Sequence, residues 1–552
     1  MGVHPASIEN PKRKDKEEYT EFEDAIKECG YGKFHYILLM VCGWANASDA
    51  IEILCISFLL PSAECDLNLS AERKGWLSAI LFVGMMVGGY VWGALGDSIG
   101  RRSVLINAMI VNALAGIGSS FAQEFYLFLT LRFISGVGAS CWWSRSTGTG
   151  TTGLIKISRK RSRLVMLAMS NYAVSGMHDE LGTLGVGGSI PVVWTYFAEF
   201  QPANKRGGAL SFLASFWMVG NIAVAGMAWV VIPHELGWNG DGFKFNSWRI
   251  FVVMSAIPSL LVALSLMFLP ESPKFLLAKG HQDKALEVLR NMYSMNTGKP
   301  AAKYPVSQLV QEDISPHIKS ASGLTGSWTA VLKETMSNTA QLFTSKPLLR
   351  VTTLMIIIHF AIQFGYYGLW LWFPELFNKL EKYYAEHPDD NVYICEVVGT
   401  SLNTTNTITE SCEERGPPDN QVFINSFIIS LSAGPSNLWT ILCMDKLGRK
   451  FFLCLSMVLS GGSAFLIYLV NSTTMNLVLS CVFGAVSTMG FNSLDCLGIE
   501  LFPTRLRGTA MAITLVSARI GAILGNLVFG YLVESHCAVP IIMVAGVAGG
   551  IF

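Results

Sequence analysis

The sequence predicts an all-α polytopic membrane protein of twelve transmembrane helices in two six-helix halves, and three observations carry that expectation. Only 14% of the 552 residues are charged and 51% are hydrophobic, against roughly 25% charged in a soluble globular protein. Apolar stretches recur, each near the ~20 residues a bilayer crossing requires. The two halves also repeat each other's motifs, as membrane porters built from duplicated units do. This composition excludes soluble enzymes, disordered scaffolds and nucleic-acid binders. Lys+Arg 40 against Asp+Glu 40 leaves no net charge to attract a polyanion. The lipid bilayer is the expected surrounding.

Residues 1–35 are a polar, mixed-charge tail (Lys12, Arg13, Lys14, Asp15, Lys16, Glu17, Glu18) with no signal peptide. The N-terminal half follows over 36–270, with spans near 36–60, 76–95, 103–121, an interrupted one within 125–200, 209–232 and 248–269. A polar linker covers 271–346, and its segment 282–295 reads as an amphipathic helix. The C-terminal half, 347–552, holds spans near 351–376, 421–444, 451–470, 476–498, 509–533 and from 537. The last stops inside its apolar run, which reads as truncation. Twelve cysteines are scattered without metal-ligand spacing, so neither metal nor cofactor is expected.

Charge bias sets the orientation. With a cytoplasmic N-terminus, the short loops on that side hold Arg101, Arg102, Lys205, Arg206, Lys446, Arg449, Lys450, Arg505 and Arg507. The opposite short loops hold only Arg73, Lys74 and Lys244. Sequons at Asn68, Asn403 and Asn471 all fall on that opposite side, as glycosylation demands. The loop 379–420 carries Cys395 and Cys412, expected to pair in an oxidising lumen, with two free thiols as the alternative.

The repeat is explicit. Gly93-Ala-Leu-Gly-Asp97-Ser-Ile-Gly100-Arg101-Arg102 after span 2 is echoed by Asp445-Lys-Leu-Gly448-Arg449-Lys450 after span 8. Glu199, Pro202, Arg206 and Gly207 after span 4 are echoed by Glu500, Pro503, Arg507 and Gly508 after span 10. Asp97 and Asp445 lie 348 apart, as do Gly136 and Gly484, whereas Glu199 and Glu500 lie 301 apart. The first half therefore holds 47 extra residues, and removing 139–185 restores the pattern. That stretch carries a basic cluster and irregular sequence that is costly at bilayer depth. A retained intron or gene-model error is expected, with a genuine extruded loop splitting span 4 as the alternative.

The motif after span 2, its echo, and Pro270-Glu271-Ser272-Pro273 after span 6 together resemble the major facilitator superfamily, most of all its sugar and organic-ion porters. Asp49-Ala-Ile-Glu52, Phe82-Val-Gly-Met-Met-Val-Gly88, Tyr366-Tyr-Gly-Leu-Trp-Leu-Trp-Phe-Pro374 and Ser493-Leu-Asp495 narrow the likeness to the synaptic vesicle glycoprotein 2 family or the related synaptic vesicle 2-related proteins. The resemblance covers about 25–550 except 139–185 and implies the major facilitator fold. Two departures matter. The family's long β-solenoid luminal loop, which docks neurotoxin, has 42 residues here (379–420). Its extended tail, linked to synaptotagmin binding, has 35. A synaptotagmin-type partner is therefore not carried over.

Asp49 and Glu52, three apart, share one face of span 1. Charge inside a span is expensive and lines a cavity or pairs internally. The expectations are a proton- or cation-responsive pair, or a buried ion pair holding spans together. Asp495, with Arg519 as counter-ion, belongs to the same argument. The resemblance implies proton coupling for Arg132, with a snorkelling anchor as the alternative. It also places Trp217, Tyr366, Tyr367 and Phe491 in a substrate cavity suited to stacking on a sugar or to a cation–π contact. His359 and Gln363 read as ordinary interhelical hydrogen-bonders. Gly93, Asp97, Gly100, Arg101, Arg102, Glu199, Arg206, Asp445, Arg449, Glu500 and Arg507 are the expected gate latch. The function expected is transport of a small sugar or organic ion, with proton or ion coupling, in a vesicle or plasma membrane. The alternative is a non-transporting vesicle protein that regulates exocytosis. No nucleophile–base pair suggests an enzyme.

Overall fold

The structure, a computed structural model, describes residues 19–138, 189–234, 236–240, 243–310, 337, 339–387, 392–398 and 419–549, the side chains of 19, 90–91, 93–98, 189–191, 239–240, 445, 499–500, 504–505, 507–508 and 549 excepted. The N-terminal half comprises α1 (Phe22–Glu28), α2 (Lys33–Ser62), α3 (Ala71–Ile99), α4 (Arg101–Ser120), α5 (Phe125–Gly138), α6 (Ser189–Ala198), α7 (Ala203–Val231) and α8 (Ser247–Leu266). The linker forms α9 (Pro273–Ala278) and α10 (Gln282–Thr297). The second half comprises α11 (Lys346–Trp370), α12 (Phe373–Glu386), α13 (Asn420–Leu447), α14 (Arg449–Tyr468), α15 (Thr473–Leu501), α16 (Thr504–Leu532) and α17 (Ala538–Gly549). Among the described residues nine helical stretches are long and apolar enough to cross a bilayer, and α5 and α17 are shorter apolar helices.

Packing repeats as the sequence does. In the first half α2 packs on α7, α4 on α8, and α3 on α5. In the second, α11 packs on α16, α14 on α17, and α13 on α15. The halves meet where α3 crosses α16 and α7 crosses α13. At the first crossing Gly75 and Gly530 lie backbone to backbone, and a Cβ on either would sit under 3.0 Å from the other's Cα. Small residues let helices approach this closely where lipid removes the hydrophobic drive to associate. Gly100 (φ 111°) and Gly448 (φ 88°) occupy equivalent junctions, α3–α4 and α13–α14, in the left-handed region that favours glycine. One end of the bundle carries these repeated motifs (the motif end), and the opposite end carries the turns between α2 and α3 and between α16 and α17 (the loop end).

Helices α5 and α6 both pack on α3 and α4. Their 14 and 10 residues measure ~21 and ~15 Å at 1.5 Å per residue, which together make about one crossing. The stretch 139–185 lies outside the described residues.

The tail and the linker, distinct on sequence, form one unit. β1 (Tyr19–Thr20) pairs in parallel with the linker strand Gln308–Leu309. Phe22, Ala25 and Ile26 of α1 share a core with Leu286, Leu289 and Met292 of α10, whose apolar residues recur at helical spacing. Asn296 fastens the unit: its Nδ2 donates to the carbonyls of Cys29 (3.2 Å) and Gly30 (3.1 Å), and its Oδ1 accepts from Phe34 N (3.0 Å).

The expected Cys395–Cys412 bridge is corrected: Cys395 is joined to Cys537, Cα–Cα 5.3 Å. The cause is local docking. Ile394 N donates to Val470 O (3.1 Å), and Ile394, Val397 and Val398 are buried, which seats the segment beside the start of α17. Cys412 lies outside the described residues. Cys65 is also disulfide-bonded.

Candidate functional site

An ion pair at the centre of the N-terminal half anchors the site. Arg132 on α5 places Nη1 2.5 Å from Glu52 Oε1 on α2, and neither side chain is exposed beyond 2%. Total burial rules out a snorkelling Arg132. Ser135 Oγ lies 2.6 Å from that same Oε1 and 2.6 Å from Asn112 Oδ1 on α4. A hydroxyl has one hydrogen to give, so a second must come from elsewhere: a proton on Glu52, or the Asn112 amide turned end for end. Asn112 Nδ2 in turn reaches Ser259 Oγ on α8 (3.2 Å). Four helices thus converge on one carboxylate. Asp49, a turn earlier on α2, is fully buried as well.

The aromatic residues gather between the halves. Tyr366 stacks on Trp370 (5.2 Å) and meets Phe491 (5.0 Å) and Tyr367 (5.0 Å) edge-on. Its hydroxyl is buried without a hydrogen bond and faces Trp217 and Asn221 of α7. Asn221 Oδ1 is likewise buried and unsatisfied. Tyr367 meets Phe82 of α3 at 4.7 Å, and the Arg519 guanidinium lies 5.9 Å from the same ring. Towards the loop end a cavity of about 20 Å³ opens among Ser57, Phe58, Val224, Trp370, Phe373 and Ser426, room for about one water.

Asp495 stands apart from these buried groups. It lies deep among the helices, yet 54% of its side chain is open, so it lines an opening in the bundle. Arg519 is the cation whose field it feels. No ion pair within 4.0 Å joins the two among the described residues; the contact formed is to His359.

Above the cavity the loop end is sealed. Lys74 of α3 holds Glu375 of α12 at 2.7 Å, both side chains 3% exposed, and Glu64 at 3.0 Å. Lys379 reaches Glu534 (3.1 Å), and Tyr531 donates to Glu72 (2.9 Å). Sequence reasoning counted Lys74 as a loop charge and missed this seal. Pro at the start of α12, just past an apolar run, was the available signal.

At the motif end, Arg101 pairs with Glu199 (3.3 Å). Arg206 pairs instead with Glu23 of the tail (2.7 Å). Glu271 Oε1 accepts from Arg102 N (3.0 Å) and Ser272 N (3.0 Å), capping the positive end of α4. Its carboxylate crowds the space a Cβ on Gly100 would fill, so glycine is required there twice over. Arg449 opens α14 directly after Gly448. The side chains of Gly93, Asp97, Asp445, Glu500 and Arg507 lie outside the described residues. Of the sequons, Asn68 and Asn471 are exposed at the loop end, and Asn403 lies outside the described residues. No group of three His, Cys, Asp or Glu that would hold a metal occurs among the described residues.

Comparison with known proteins agrees with this geometry. Residues 40–147 and 413–552 match the Major Facilitator Superfamily, and residues 181–382 match the family described as Sugar (and other) transporter. Neither match includes 148–180. Synaptic vesicle glycoprotein 2A of Rattus norvegicus is 30% identical in an alignment covering 97% of this chain and 78% of the relative. The chain belongs to the synaptic vesicle glycoprotein 2 branch of the major facilitator superfamily. Synaptic vesicle glycoprotein 2C of Mus musculus is 29% identical, covering 98% and 80% respectively. Among solved structures, the xylose transporter XylE from E. coli in a partially occluded inward open conformation superimposes with a TM-score of 0.60. It is 16% identical, with 94% of this chain and 96% of that chain covered. The fold of this branch is therefore the all-α major facilitator fold, embedded as a multi-pass membrane protein.

Proposed function

We propose that this chain is a secondary transporter that moves a small sugar or organic ion by alternating access, with its motif end and N-terminus in the cytoplasm. The observation that carries the reading is an asymmetry. The two halves are locked together at the loop end by Lys74 and Glu375, while Asp495, deeper in the bundle, stays half open. Closure at one end with a charged group still accessible deeper in the bundle is what one state of a rocking transporter presents.

Glu52, Arg132 and Ser135 supply the coupling group, because charge buried inside a span is costly and movement of these helices changes the partners of the carboxylate. Trp217, Tyr366, Tyr367 and Phe491 form the substrate wall, where the Tyr366 hydroxyl and the Asn221 amide supply polar groups between the halves. The Arg101–Glu199 pair, with Glu271 over α4, works as the motif-end latch together with Gly93, Asp97 and their echoes. Asn68, Asn403 and Asn471 then face the lumen and accept glycans. The relatives' names support a vesicle membrane; the competing reading is a non-transporting vesicle protein that regulates exocytosis.

Counterflow in proteoliposomes tests the proposal, using labelled pentoses, hexoses and organic cations with and without a pH gradient. Uptake that collapses in Arg132→Ala supports it. A folded wild-type protein that moves none of these solutes in either gradient sinks it in favour of the non-transporting reading.

A further inference from the structure

We propose that His359 and Asp495 form a proton-binding site on the wall of the C-terminal half, separate from the Glu52–Arg132 pair. His359 lies on α11 with 3% of its side chain exposed. Its Nδ1 sits 2.8 Å from the carbonyl of Met355, one turn back. A carbonyl only accepts, so Nδ1 carries the hydrogen and Nε2 is left as a bare lone pair in the neutral ring. That Nε2 is buried and has no hydrogen-bond partner. It points at Asp495 Oδ1 on α15, 4.0 Å away. Two acceptors facing each other in a buried setting are unfavourable. One proton on Nε2 converts the pair into a charge-assisted hydrogen bond and draws the 4.0 Å gap shut.

The surroundings suit this role. Asp495 is open over half its side chain, so a proton has a route from water to an imidazole that is otherwise enclosed. Of the elements packed against α11, α16 offers Arg519, whose charge acts on Asp495. α15 offers Asp495 and the Cys496 thiol, and α17 carries no titratable residue. On α11 itself Tyr366 and Tyr367 lie two turns further on. An Asp495 carboxylate beside the ring favours the imidazolium. Protonation therefore ties α11 to α15 within the half, next to the aromatic wall.

The test uses the full chain in nanodiscs, labelled at histidine Cε1 and titrated by NMR from pH 4.5 to 8.5 without any solute. The resonance lost in His359→Gln, or in His359→Asn should the first variant not fold, identifies the ring. We expect a one-proton titration whose proton affinity drops about tenfold or more in Asp495→Asn, equal to one pKa unit or more, and recovers in Asp495→Glu. A ring that does not titrate in this range, or titrates with the same midpoint in Asp495→Asn, overturns the proposal. The readout needs no transport, so it stands or falls independently of the transporter reading.

Discussion

Nζ of Lys74 lies 2.7 Å from Oε1 of Glu375, joining α3 of one half to α12 of the other with both side chains nearly dry. Removing one partner of such a pair leaves an uncompensated buried charge, a loss of about 3–5 kcal/mol, whereas replacing both with apolar residues is far milder. Lys74→Met and Glu375→Met should each lower the melting temperature markedly and open the loop end to a membrane-impermeant thiol reagent at an introduced cysteine. The double variant should recover most of the stability. Additive losses would show that the pair does not hold the halves together.

The Glu52–Arg132 pair makes a different prediction. Arg132→Ala strands Glu52 among Ser135 and Asn112 and should destabilise the fold by about 3–5 kcal/mol. Glu52→Gln keeps hydrogen-bonding atoms for Ser135 but strands the buried Arg132 guanidinium, which cannot shed its charge, so it should destabilise by a similar amount and also lose any dependence of uptake on a pH gradient. Melting curves and gradient-driven counterflow read the two effects separately. Gradient dependence that survives in Glu52→Gln would move the coupling group elsewhere.

The bundle was legible because its determinants are local and repeated: apolar runs of span length, Gly100 and Gly448 at matched junctions, Pro202 and Pro503 at matched helix starts. Each acts within a few residues, so spacing alone reveals it. Glu52 and Arg132 were legible as candidates because charge inside a span is conspicuous. Their pairing was not, since 80 residues separate them. Lys74–Glu375, at 301 residues' separation, was missed because Lys74 reads as a loop charge and Glu375 falls at the end of the span near 351–376. The tail–linker unit was missed as well: β1 and the strand at Gln308–Leu309 are two residues each, too short to leave a pattern. Arg206 and Glu199 read as members of one latch, whereas the folded tail brings Glu23 to Arg206. His359 read as a routine hydrogen-bonder because nothing in sequence tells which nitrogen is occupied.

Glu199 gives a pH prediction at the motif end, in the turn between α6 and α7. Burial pushes its carboxyl above the ordinary carboxylate range, and Arg101 pulls it only part of the way back. The folded state thus holds this proton more tightly than the unfolded chain does. Its contribution to stability is complete below the unfolded carboxylate value of about 4.3 and is lost as pH rises through the raised folded value. Glu199→Gln removes that loss, so its melting temperature relative to wild type should improve steadily between pH 4 and pH 7. A difference that is flat across this range, or that falls, contradicts the assignment.

The disulfide between Cys395 and Cys537 fastens the segment 392–398 to the start of α17 across a sequence separation of 142. Closing so long a loop restricts the unfolded chain, and losing a native bridge of this kind costs about 2–5 kcal/mol. Non-reducing peptide mapping should recover the Cys395 and Cys537 peptides as one species. Cys537→Ser should lower the melting temperature under oxidising conditions and have no further effect in reductant. A map that joins Cys395 to Cys412 would return to the pairing expected from sequence.

The last prediction concerns the break in span 4. Helix α5 ends at Gly138 and α6 begins at Ser189, both resting on α3 and α4, and together they measure about one crossing. The two family matches also leave 148–180 uncovered. Deleting 139–185 leaves Val186-Gly187-Gly188 between the two helices, enough to fuse them into one continuous span. The shortened chain should remain monodisperse in detergent with a melting temperature equal to or above that of the full chain, because 139–185 carries a basic cluster and charge at bilayer depth is costly. It should also keep the Glu52–Arg132 pair, read as an unchanged destabilisation by Arg132→Ala in the shortened background. A deletion that aggregates, while the full chain stays monodisperse, would make residues 139–185 an integral part of the fold.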